Sequence, residues 1–571
     1  MKEKKYALYG IGVVLISLIG ISLAYFATQI VGKEKDISVN TKDLRIIFNN
    51  GDAITGENVV AEDNWSMTKT FSVENKSNST YKYNIVIKDL INTFKTTGYL
   101  QYKITSTDGG YNMTSFEDVP KSSKAQDTVL AYSISIAEGV TQNYTITIQY
   151  PNDENADQSD DMGAELSGKL YISEGSYPSL AKLILRDNPT ISERTDFNVI
   201  NTADTTGTIY QTNETEDGST VYYYSGNTTN NWVKFGKYQN DYVKYRGYLS
   251  STSMYEEYNM YKEYNTMDEC TSATSYNANC SEYKYASAGD DIYWRIIRTN
   301  EDGSIRLLYV GTSHDTTNGH IGKSQFNTAS TVPLFIGYMY GTFGSLSSDR
   351  TNENSSAIKT YIDDWYQSNL LNNYDKYISK TAIYCNDRSV GSGTYSPTNN
   401  GAFNYGANTR MSNSTSNKTK TPTYKCGGDG KGGLFETTQA VEDKFSASTA
   451  NGGNGQLTYP IALMTADELS FAGGVGGQKL SSPYTWYYTN SQGESVDESS
   501  WWTLSPLTGG YTNYVWIVGG SNMPGQMYSD DLASELVAVR PSLSLSSCVG
   551  IKSGYGTPES PYEIDYDNSC K

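Results

Sequence analysis

Two histidines are the only ones in this chain of 571 residues, so they are the first candidates for acid–base chemistry. His314 precedes Asp315, and His320 follows in the same stretch rich in Gly, Thr and Asn. A serine, a histidine and an aspartate can form a nucleophilic triad, yet no serine here lies in the G-x-S-x-G turn that exposes such a nucleophile. We therefore expect ordinary loop histidines, no catalytic residues and a protein that is not an enzyme.

Carboxylates are the next candidates, because paired acids cleave glycosidic bonds and clustered acids bind calcium. Asp363 and Asp364 are adjacent on a predicted helix, where neighbouring positions do not share a face. The acidic loop 152–162 lacks the ordered spacing of a calcium loop, so we expect a solvated loop and leave calcium binding open. With few histidines and no C-x-x-C pair, we predict no metal and no cofactor.

The best candidates for ligand binding lie in the polar and aromatic stretch Thr508–Glu535, between two predicted strands. Exposed loops held by fixed strands are a common basis of recognition. For Trp516 an inner-strand position is favoured, whereas Asn513, Asn522 and Asp530 are expected at the surface. The predicted ligand-binding residues are Tyr511, Asn513, Tyr514, Trp516, Asn522, Tyr528, Asp530 and Asp531.

Six cysteines indicate a disulfide framework. Six cysteines allow many pairing schemes, and the nearest-neighbour scheme is the simplest because each bridge then closes a local loop. Disulfides persist in oxidising compartments, so their use favours export. The predicted pairs are Cys270–Cys280, Cys385–Cys426 and Cys548–Cys570.

The N-terminus agrees with export. Three lysines precede an apolar run, Tyr6–Ala27, that is long enough to cross a bilayer and predicts that the chain after it lies outside the membrane. Ser22-Leu23-Ala24 also suits a signal peptidase. Residues 1–32 are therefore predicted to be a signal peptide or a membrane anchor, and both alternatives stay open.

The overall charge excludes one class of partner. The chain has 44 Lys and Arg against 63 Asp and Glu, a net charge of −19. Such a chain repels a phosphate backbone, so we predict no nucleic-acid binding. Its 37% hydrophobic and 13% aromatic residues are enough to build cores, which excludes a wholly disordered chain.

The elements that position these residues are mainly strands. Residues 33–175 contain short alternating segments separated by polar turns, which predicts a β-sandwich. Residues 176–205 are predicted to be a linker with a short helix at 177–186. The predicted sandwich strands are Leu44–Phe48, Thr70–Val73, Tyr83–Ile87, Tyr102–Ile104, Tyr144–Ile148 and Leu170–Ile172.

The C-terminal part mixes strands with a few helices. Two β-hairpins are predicted around similar turns, Glu216-Asp217-Gly218 and Glu301-Asp302-Gly303. A helix with Ile358, Ile362 and Trp365 on one side follows the capping candidates Ser355 and Ser356. A second helix begins at the capping box Thr465-Ala466-Asp467-Glu468 and ends at Gly473-Gly474.

Residues 237–290 interrupt this pattern with a tyrosine-rich insertion. Tyr255, Tyr258, Tyr261 and Tyr264 recur at a spacing of three, which predicts a helix with a tyrosine stripe. The stripe either packs on the body of the domain or forms a recognition surface, and the first interpretation is favoured.

The N-terminal part contains the segments Ala24-Tyr25-Phe26, Lys69–Asn75 and Tyr144–Pro151 with the later Gly168–Tyr171. On these segments it resembles the camelysin/TasA group of exported Gram-positive matrix proteins. It implies a jelly-roll-like sandwich, export and self-association into fibres. The peptidase-like activity discussed for that group is not carried over, because this stretch has no histidine and no metal-binding pattern.

The part from 206 to 571 contains a set of distinctive segments: Tyr293–Arg298, Tyr384–Ser389, Leu457–Gly474, Trp501–Pro506, Val539–Leu545 and Gly554–Ile564. On these segments it resembles a group of surface proteins of gut Firmicutes with a C-type-lectin-like fold, related in shape to formylglycine-generating enzymes. This implies a C-type-lectin-like α+β domain. The EPN, QPD and WND motifs of calcium-dependent sugar binding are missing, and the C-terminal cysteines look structural.

Together these patterns predict a mainly β, exported cell-surface protein that binds an extracellular glycan or protein without catalysis. Its membrane contact is the N-terminal helix. The alternative is a structural subunit of an extracellular matrix or fibre, and a third hypothesis is an extracellular hydrolase.

Overall fold

The chain divides into two units, 1–177 and 178–571, and both are mainly β, as the alternating patterns predict. The computed structural model describes residues 37–41, 44–49, 64–76, 79–155, 157–161, 163–174, 179–249, 261–345, 348, 351–395, 403–411, 420–426, 443–448, 455–510, 512–528, 532–566 and 569–570. Among these residues no helix has the length and apolar content to cross a bilayer, and the apolar segment 6–27 lies outside them.

The first unit contains two β-sheets that share one apolar core, in the order β1-β2-β3-β8-β5-β6 and β7-β4-β9. Apolar residues alternate into this core, as Ile85, Ile104 and Ile146 do from both sheets. The predicted sandwich is thus confirmed. Its strands are β1 (Ile37–Thr41), β2 (Leu44–Asn49), β3 (Trp65–Asn75), β4 (Tyr81–Asn92), β5 (Gln101–Ser106), β6 (Glu117–Asp118), β7 (Ser122–Ile136), β8 (Thr141–Tyr150) and β9 (Leu166–Glu174).

The largest sheet of the second unit has ten strands and runs β10-β11-β12-β17-β13-β34-β33, with β18, β32 and β27 continuing from β17. Both predicted hairpins are confirmed, since β11 pairs with β12 and β17 with β18. The strands are β10 (Thr190–Glu193), β11 (Thr208–Thr212), β12 (Val221–Tyr223), β13 (Trp232–Lys237), β17 (Asp291–Thr299), β18 (Ile305–Gly311), β27 (Ile461–Leu463), β32 (Pro541–Leu545), β33 (Ile551–Ser553) and β34 (Tyr562–Ile564).

A second sheet of seven strands carries most of the predicted ligand-binding stretch. Its order is β19-β31-β28-β24-β23, with β29 on β28 and β30 on β29. The strands are β19 (Lys323–Ser324), β23 (Val390–Ser392), β24 (Phe403–Tyr405), β28 (Trp501–Gly509), β29 (Tyr514–Val518), β30 (Met527–Tyr528) and β31 (Val537–Ala538).

Smaller sheets complete the second unit. One joins β20 to β21, another has the order β22-β25-β26, and the insertion has the order β15-β14-β16. Their strands are β14 (Tyr242–Tyr248), β15 (Tyr261–Tyr264), β16 (Ala278–Ala286), β20 (Met339–Tyr340), β21 (Asn354–Ser355), β22 (Tyr384–Cys385), β25 (Lys444–Ser446) and β26 (Gly455–Gln456).

The described residues form five α-helices, two of which have the predicted caps. Ser356 accepts a hydrogen bond from the Lys359 amide at the start of α3, and Thr465 forms the expected capping box at the start of α5. Gly473, at a φ of 124°, ends α5. The helices are α1 (Leu180–Asp187), α2 (Met267–Ser272), α3 (Ala357–Asn369), α4 (Gly406–Met411) and α5 (Ala466–Ala472).

The predicted linker 176–205 is wrong for the part of it that the structure describes. The short helix is there as α1, but Leu180, Leu183 and Ile184 are buried in the core of the second unit. Strand β10 then joins the ten-stranded sheet by parallel pairing with β11. Residues 179–205 are therefore an integral edge of the second unit, because three apolar side chains on one side of α1 need a core to cover them.

The prediction of a helical insertion is also wrong where the insertion is described. Tyr261 and Tyr264 lie in strand β15, and their cross-strand partners on β14 are Tyr248 and Tyr245. Tyrosine packs well on a pleated surface, so cross-strand pairing outweighs a spacing that also suits a helix. The predicted stripe residues Tyr255 and Tyr258 lie outside the described residues.

Three disulfides join the cysteines in the predicted nearest-neighbour scheme. The pairs are Cys270–Cys280, Cys385–Cys426 and Cys548–Cys570. Disulfides of this number indicate an oxidising, extracellular environment.

Candidate functional site

The predicted ligand-binding residues do not form one surface. Asn513 and Trp516 are buried, at 0% and 3% exposure. Tyr514 and Tyr528 are half-buried, and Asn522 is exposed as expected. Tyr511, Asp530 and Asp531 lie outside the described residues, so their predicted role stays a prediction.

The expectation that Asn513 lies at the surface is wrong. Its side-chain amide donates a hydrogen bond to the Ser330 carbonyl at 2.7 Å, and its backbone carbonyl accepts one from the Ala533 amide at 3.2 Å. Asn513 thus joins two segments that are distant in sequence. A buried amide that satisfies backbone groups stabilises loop packing and has little surface to offer a ligand.

Trp516 occupies the inner-strand position that the sequence favours. It lies in β29, whose register on β28 is fixed by pairs such as Trp502 with Ile517. Its ring belongs to the core of the second unit, and Gly476 approaches it so closely that a Cβ there would lie 3.2 Å from the ring. Tyr514 and Tyr528 pack against the same core, and the Tyr528 hydroxyl is 3.0 Å from that of Ser500.

The arginines of the distinctive sequence motifs support the fold. Arg295 donates hydrogen bonds to the Thr228 carbonyl at 2.8 Å and lies 4.1 Å from the Trp232 ring centre. Arg540 donates to the carbonyls of Tyr309 and Tyr487 at 3.0 and 2.9 Å. Burial lowers the pKa of Arg295 to about 9 and that of Arg540 to about 10. Both guanidinium groups satisfy buried carbonyls rather than face a ligand.

The two histidines have different hydrogen-bond partners, and neither has both a carboxylate and a serine. His320 is buried and its Nδ1 lies 2.5 Å from Asp497, but its Nε2 faces the hydroxyl of Tyr285 at 3.3 Å instead of a serine. His314 has a serine, Ser491, at 2.8 Å from its Nδ1. Because the carboxylate and the serine belong to different histidines, neither set has the geometry of nucleophilic catalysis.

Buried polar contacts connect His320 to the tyrosine-rich insertion. The Tyr285 hydroxyl also donates a hydrogen bond to Glu263, whose side chain is fully buried. Arg246 forms an ion pair with Glu263 at 3.0 Å and donates to the Tyr285 hydroxyl at 2.7 Å. These contacts fix the small sheet of the insertion on the larger sheets.

The carboxylates of the acidic loop 152–162 bond to nearby protein groups. Asp161 accepts hydrogen bonds from the Lys95 and Thr96 amides at 2.6 and 3.0 Å, and these bonds outweigh burial and lower its pKa. Asp153 accepts one from the Tyr99 hydroxyl at 2.9 Å. Among the described residues no group of three or more His, Cys, Asp or Glu side chains has the geometry to hold a metal ion.

A cleft of about 660 Å³ opens where the two similar hairpin turns of the second unit come together. One wall comes from the β11–β12 turn and another from the β17–β18 turn, and the segment before Cys385 lies between them. Its volume is within the range of small-molecule sites. The lining residues are Glu216, Asp217, Arg298, Asn300, Glu301, Asp302, Thr381, Ala382, Ile383, Tyr424 and Lys444.

A buried set of ion pairs adjoins this cleft and includes one of its lining residues, Arg298. Arg298 on β17 lies 3.2 Å from the Glu468 carboxylate on α5, and Arg306 on β18 lies 3.9 Å from the same carboxylate. The Arg298 guanidinium also lies 4.2 Å from the Tyr424 ring centre, while Phe471 stacks on that ring at 4.3 Å. Tyr424 is thereby fixed by packing, and its hydroxyl is the one polar group of its side chain.

Asp302 holds the β17–β18 turn against the neighbouring wall. It accepts hydrogen bonds from the Ser304 amide at 2.9 Å and from the Thr381 hydroxyl at 2.8 Å. Burial acts to raise its pKa, but these and further hydrogen bonds from Ser304 and Ser379 outweigh it, so the pKa of Asp302 is lowered. Asp302 therefore stays ionised and positions the turn that carries Glu301.

Two buried polar atoms of residues in the lining have no hydrogen-bond partner in the described structure. They are Oδ1 of Asn300 and Oη of Tyr424, and each residue is 7% exposed. A ligand, a water molecule or an ion can satisfy a buried polar atom of this kind. Burial raises the pKa of Tyr424 well above 10, so its hydroxyl keeps its proton and can donate.

The sequence contains a pattern that could point to this cleft, because the same Glu-Asp-Gly triplet occurs in both turns. Taken alone, each triplet predicts only a hairpin turn. Their placement on one edge requires β12 to pair with β17, which joins the hairpins side by side. That pairing is long-range, so local turn chemistry does not reveal it.

Comparisons with known proteins found no match: no family model, no curated protein and no solved structure is similar to this chain. The resemblances to camelysin/TasA proteins and to C-type-lectin-like domains therefore stay predictions.

Proposed function

We propose that this chain is an exported cell-surface binding protein whose second unit recognises an extracellular glycan or protein through the cleft between the two Glu-Asp-Gly turns. The observation that carries the proposal is that cleft, built from two hairpin turns that a ten-stranded sheet holds in place. Loops on a rigid frame are where binding sites concentrate. The three disulfides support an extracellular site of action, and the N-terminal apolar segment would supply export and membrane attachment.

The proposal assigns binding without catalysis. A glycosidase needs one carboxylic acid whose pKa is raised so that it can protonate the leaving group. In this cleft the pKa of Asp302 is lowered by the hydroxyl and amide groups bonded to it, and that of Asp217 by Ser219. Cys385, beside the adjoining ion pairs, is bonded to Cys426, and neither histidine lines the cleft.

The experiment is a binding array of extracellular glycans and proteins, probed with the full chain purified in mild detergent with its disulfides intact. We expect a defined set of ligands that bind the native chain and are lost with the double variant Asp217→Asn and Glu301→Gln. The matched control is Glu138→Gln, an exposed acid in a turn of the first unit. An array without ligands, or one that the double variant leaves unchanged, would contradict the proposal.

A second candidate function is that of a structural subunit in an extracellular matrix or fibre. One feature of the first unit favours it: β7, a strand of fifteen residues, lies at an edge of its three-stranded sheet. Long edge strands offer unpaired backbone groups to another chain. Sedimentation at increasing protein concentration tests it, since growing assemblies would support a subunit role and a stable monomer would contradict it.

A further inference from the structure

The cleft between the Glu-Asp-Gly turns has an excess of negative charge. Four carboxylates line it, Glu216, Asp217, Glu301 and Asp302, against the two cations Arg298 and Lys444. Clefts lined by one sign of charge concentrate ligands of the other sign. A ligand that carries a positive charge is therefore favoured over an anionic one.

The two cations of the cleft are already engaged. Arg298 is paired with Glu468 at 3.2 Å, and Lys444 lies 3.8 Å from Glu216. By contrast, Glu301 has only a long contact, 3.8 Å, with Arg298, and the residue is exposed. Glu301 is thus the carboxylate best placed to accept a hydrogen bond from an incoming cation.

The uncharged groups of the cleft match a ligand that also carries hydroxyl groups. Oδ1 of Asn300 can accept a hydrogen bond, and Oη of Tyr424 can donate or accept one. The apolar groups of the lining are Ala382, Ile383 and the ring of Tyr424. The several hydroxyls of a sugar ring would use the polar groups of the lining, whereas a lysine side chain has only one polar group to offer them.

We infer that this cleft binds a glycan through the free ammonium group of a non-acetylated amino sugar, with Glu301 as its charge partner and with Asn300 and Tyr424 on the sugar hydroxyls. The inference rests on the proposed function and names the chemical class of its ligand. Charge-assisted hydrogen bonds are the strong ones, so the ammonium group is the main determinant of selectivity.

Isothermal titration calorimetry on the full chain tests the selectivity with three probes: a β-1,4-linked glucosamine disaccharide, its di-N-acetylated form and a lysine-containing peptide. We expect the free amine to bind about tenfold or more tightly than the acetylated form, because acetylation removes a charge-assisted bond. Raising the ionic strength should weaken binding. Equal binding of both sugars, or binding of the peptide alone, would overturn the inference.

Two variants locate the binding. Glu301→Gln should weaken binding of the glucosamine disaccharide about tenfold, while Glu138→Gln, with the same loss of charge in another turn, should leave it unchanged. Tyr424→Phe removes a hydroxyl without a protein partner, so it should keep the unfolding temperature and still weaken binding. If Glu301→Gln binds as well as Glu138→Gln, the assignment of Glu301 is wrong.

The outcome separates this inference from the proposed function. If neither sugar binds but other array ligands are lost in the variant with Asp217→Asn and Glu301→Gln, the amino-sugar inference fails and the cleft remains the binding site. If array ligands bind but are insensitive to that variant, the proposed site fails as well.

Discussion

Arg410 illustrates how single charged residues hold the second unit together. Its guanidinium donates two parallel hydrogen bonds to Asp467, at 2.9 and 2.8 Å, and forms an ion pair with Asp387 at 2.8 Å. All three side chains are almost fully buried. Only arginine combines a permanent charge with this planar fork of donors.

Replacing Arg410 tests this arrangement. Arg410→Met leaves two carboxylates buried without their cation, so we expect a loss of about 3 kcal/mol or more in the free energy of unfolding. Arg410→Lys keeps the charge but not the paired bonds, and should lose less. Urea unfolding at neutral pH measures both, and equal stability of the native protein and Arg410→Met would contradict the structural role.

Asp302 gives a pH-dependent prediction. Because its pKa in the folded chain is lowered from 3.8, its contribution is fully present above about pH 4 and is lost as the pH falls through the folded value. Asp302→Ala should therefore destabilise the chain by about 1 kcal/mol at pH 7, a modest figure for a partly exposed group.

The measurement is thermal unfolding of the native chain and Asp302→Ala from pH 7 to pH 2. The gap between the two unfolding temperatures should narrow as the pH falls below about 4. A gap that stays constant or widens toward low pH would mean that the carboxylate of Asp302 does not stabilise the turn.

Residue types alone predicted some positions and not others. Trp516 was expected inside because it is flanked by apolar residues, and it is buried there. Asn513 was expected outside because asparagine is usually exposed, yet its amide satisfies the Ser330 carbonyl in the interior. Tertiary contacts decide where a buried loop needs a polar partner, and no local sequence pattern predicts those contacts.

At the scale of elements, the predictions from helix-capping residues and from tight turns are confirmed. The capping residues Ser356 and Thr465 mark the starts of α3 and α5, and the Glu-Asp-Gly turns mark two hairpins. The prediction from the tyrosine spacing of the insertion is wrong, because a spacing of three suits a helix while tyrosine itself favours strands. Strand β7 was missed because its first half, Ser122–Asp127, is polar and does not alternate.

The disulfides also act at the scale of elements, because each closes a loop of different length. The separations are 41 residues for Cys385–Cys426, 22 for Cys548–Cys570 and 10 for Cys270–Cys280. A disulfide that closes a longer loop restricts the unfolded chain more. Replacing both cysteines with serine should therefore lower the free energy of unfolding by about 4 kcal/mol for Cys385–Cys426 and by about 3 kcal/mol for Cys270–Cys280. Chemical denaturation of the three double variants measures the order, and a larger loss for Cys270–Cys280 than for Cys385–Cys426 would contradict it.

At the scale of the whole molecule, composition and alternation predicted two mainly β units correctly. The boundary was less accurate, because residues 179–205 look like a polar connector but contribute α1 and β10 to the second unit. The cleft was not predicted, since it depends on the pairing of β12 with β17, which places two distant turns together. The sequence predicts the ligand-binding residues in the stretch Thr508–Glu535 instead, where most of the described candidates are buried or half-buried.

Export is the claim on which the proposed binding function depends, and the state of the six cysteines in the cell that makes the protein tests it most directly. Intact cells would be treated with a membrane-impermeant protease and then, after lysis under denaturing conditions, with a thiol-alkylating reagent before mass spectrometry. The account predicts that the second unit is cleaved from outside and that all six cysteines escape alkylation as the three observed pairs. A protein protected from the protease, with six alkylated thiols in the cytosolic fraction, would contradict it.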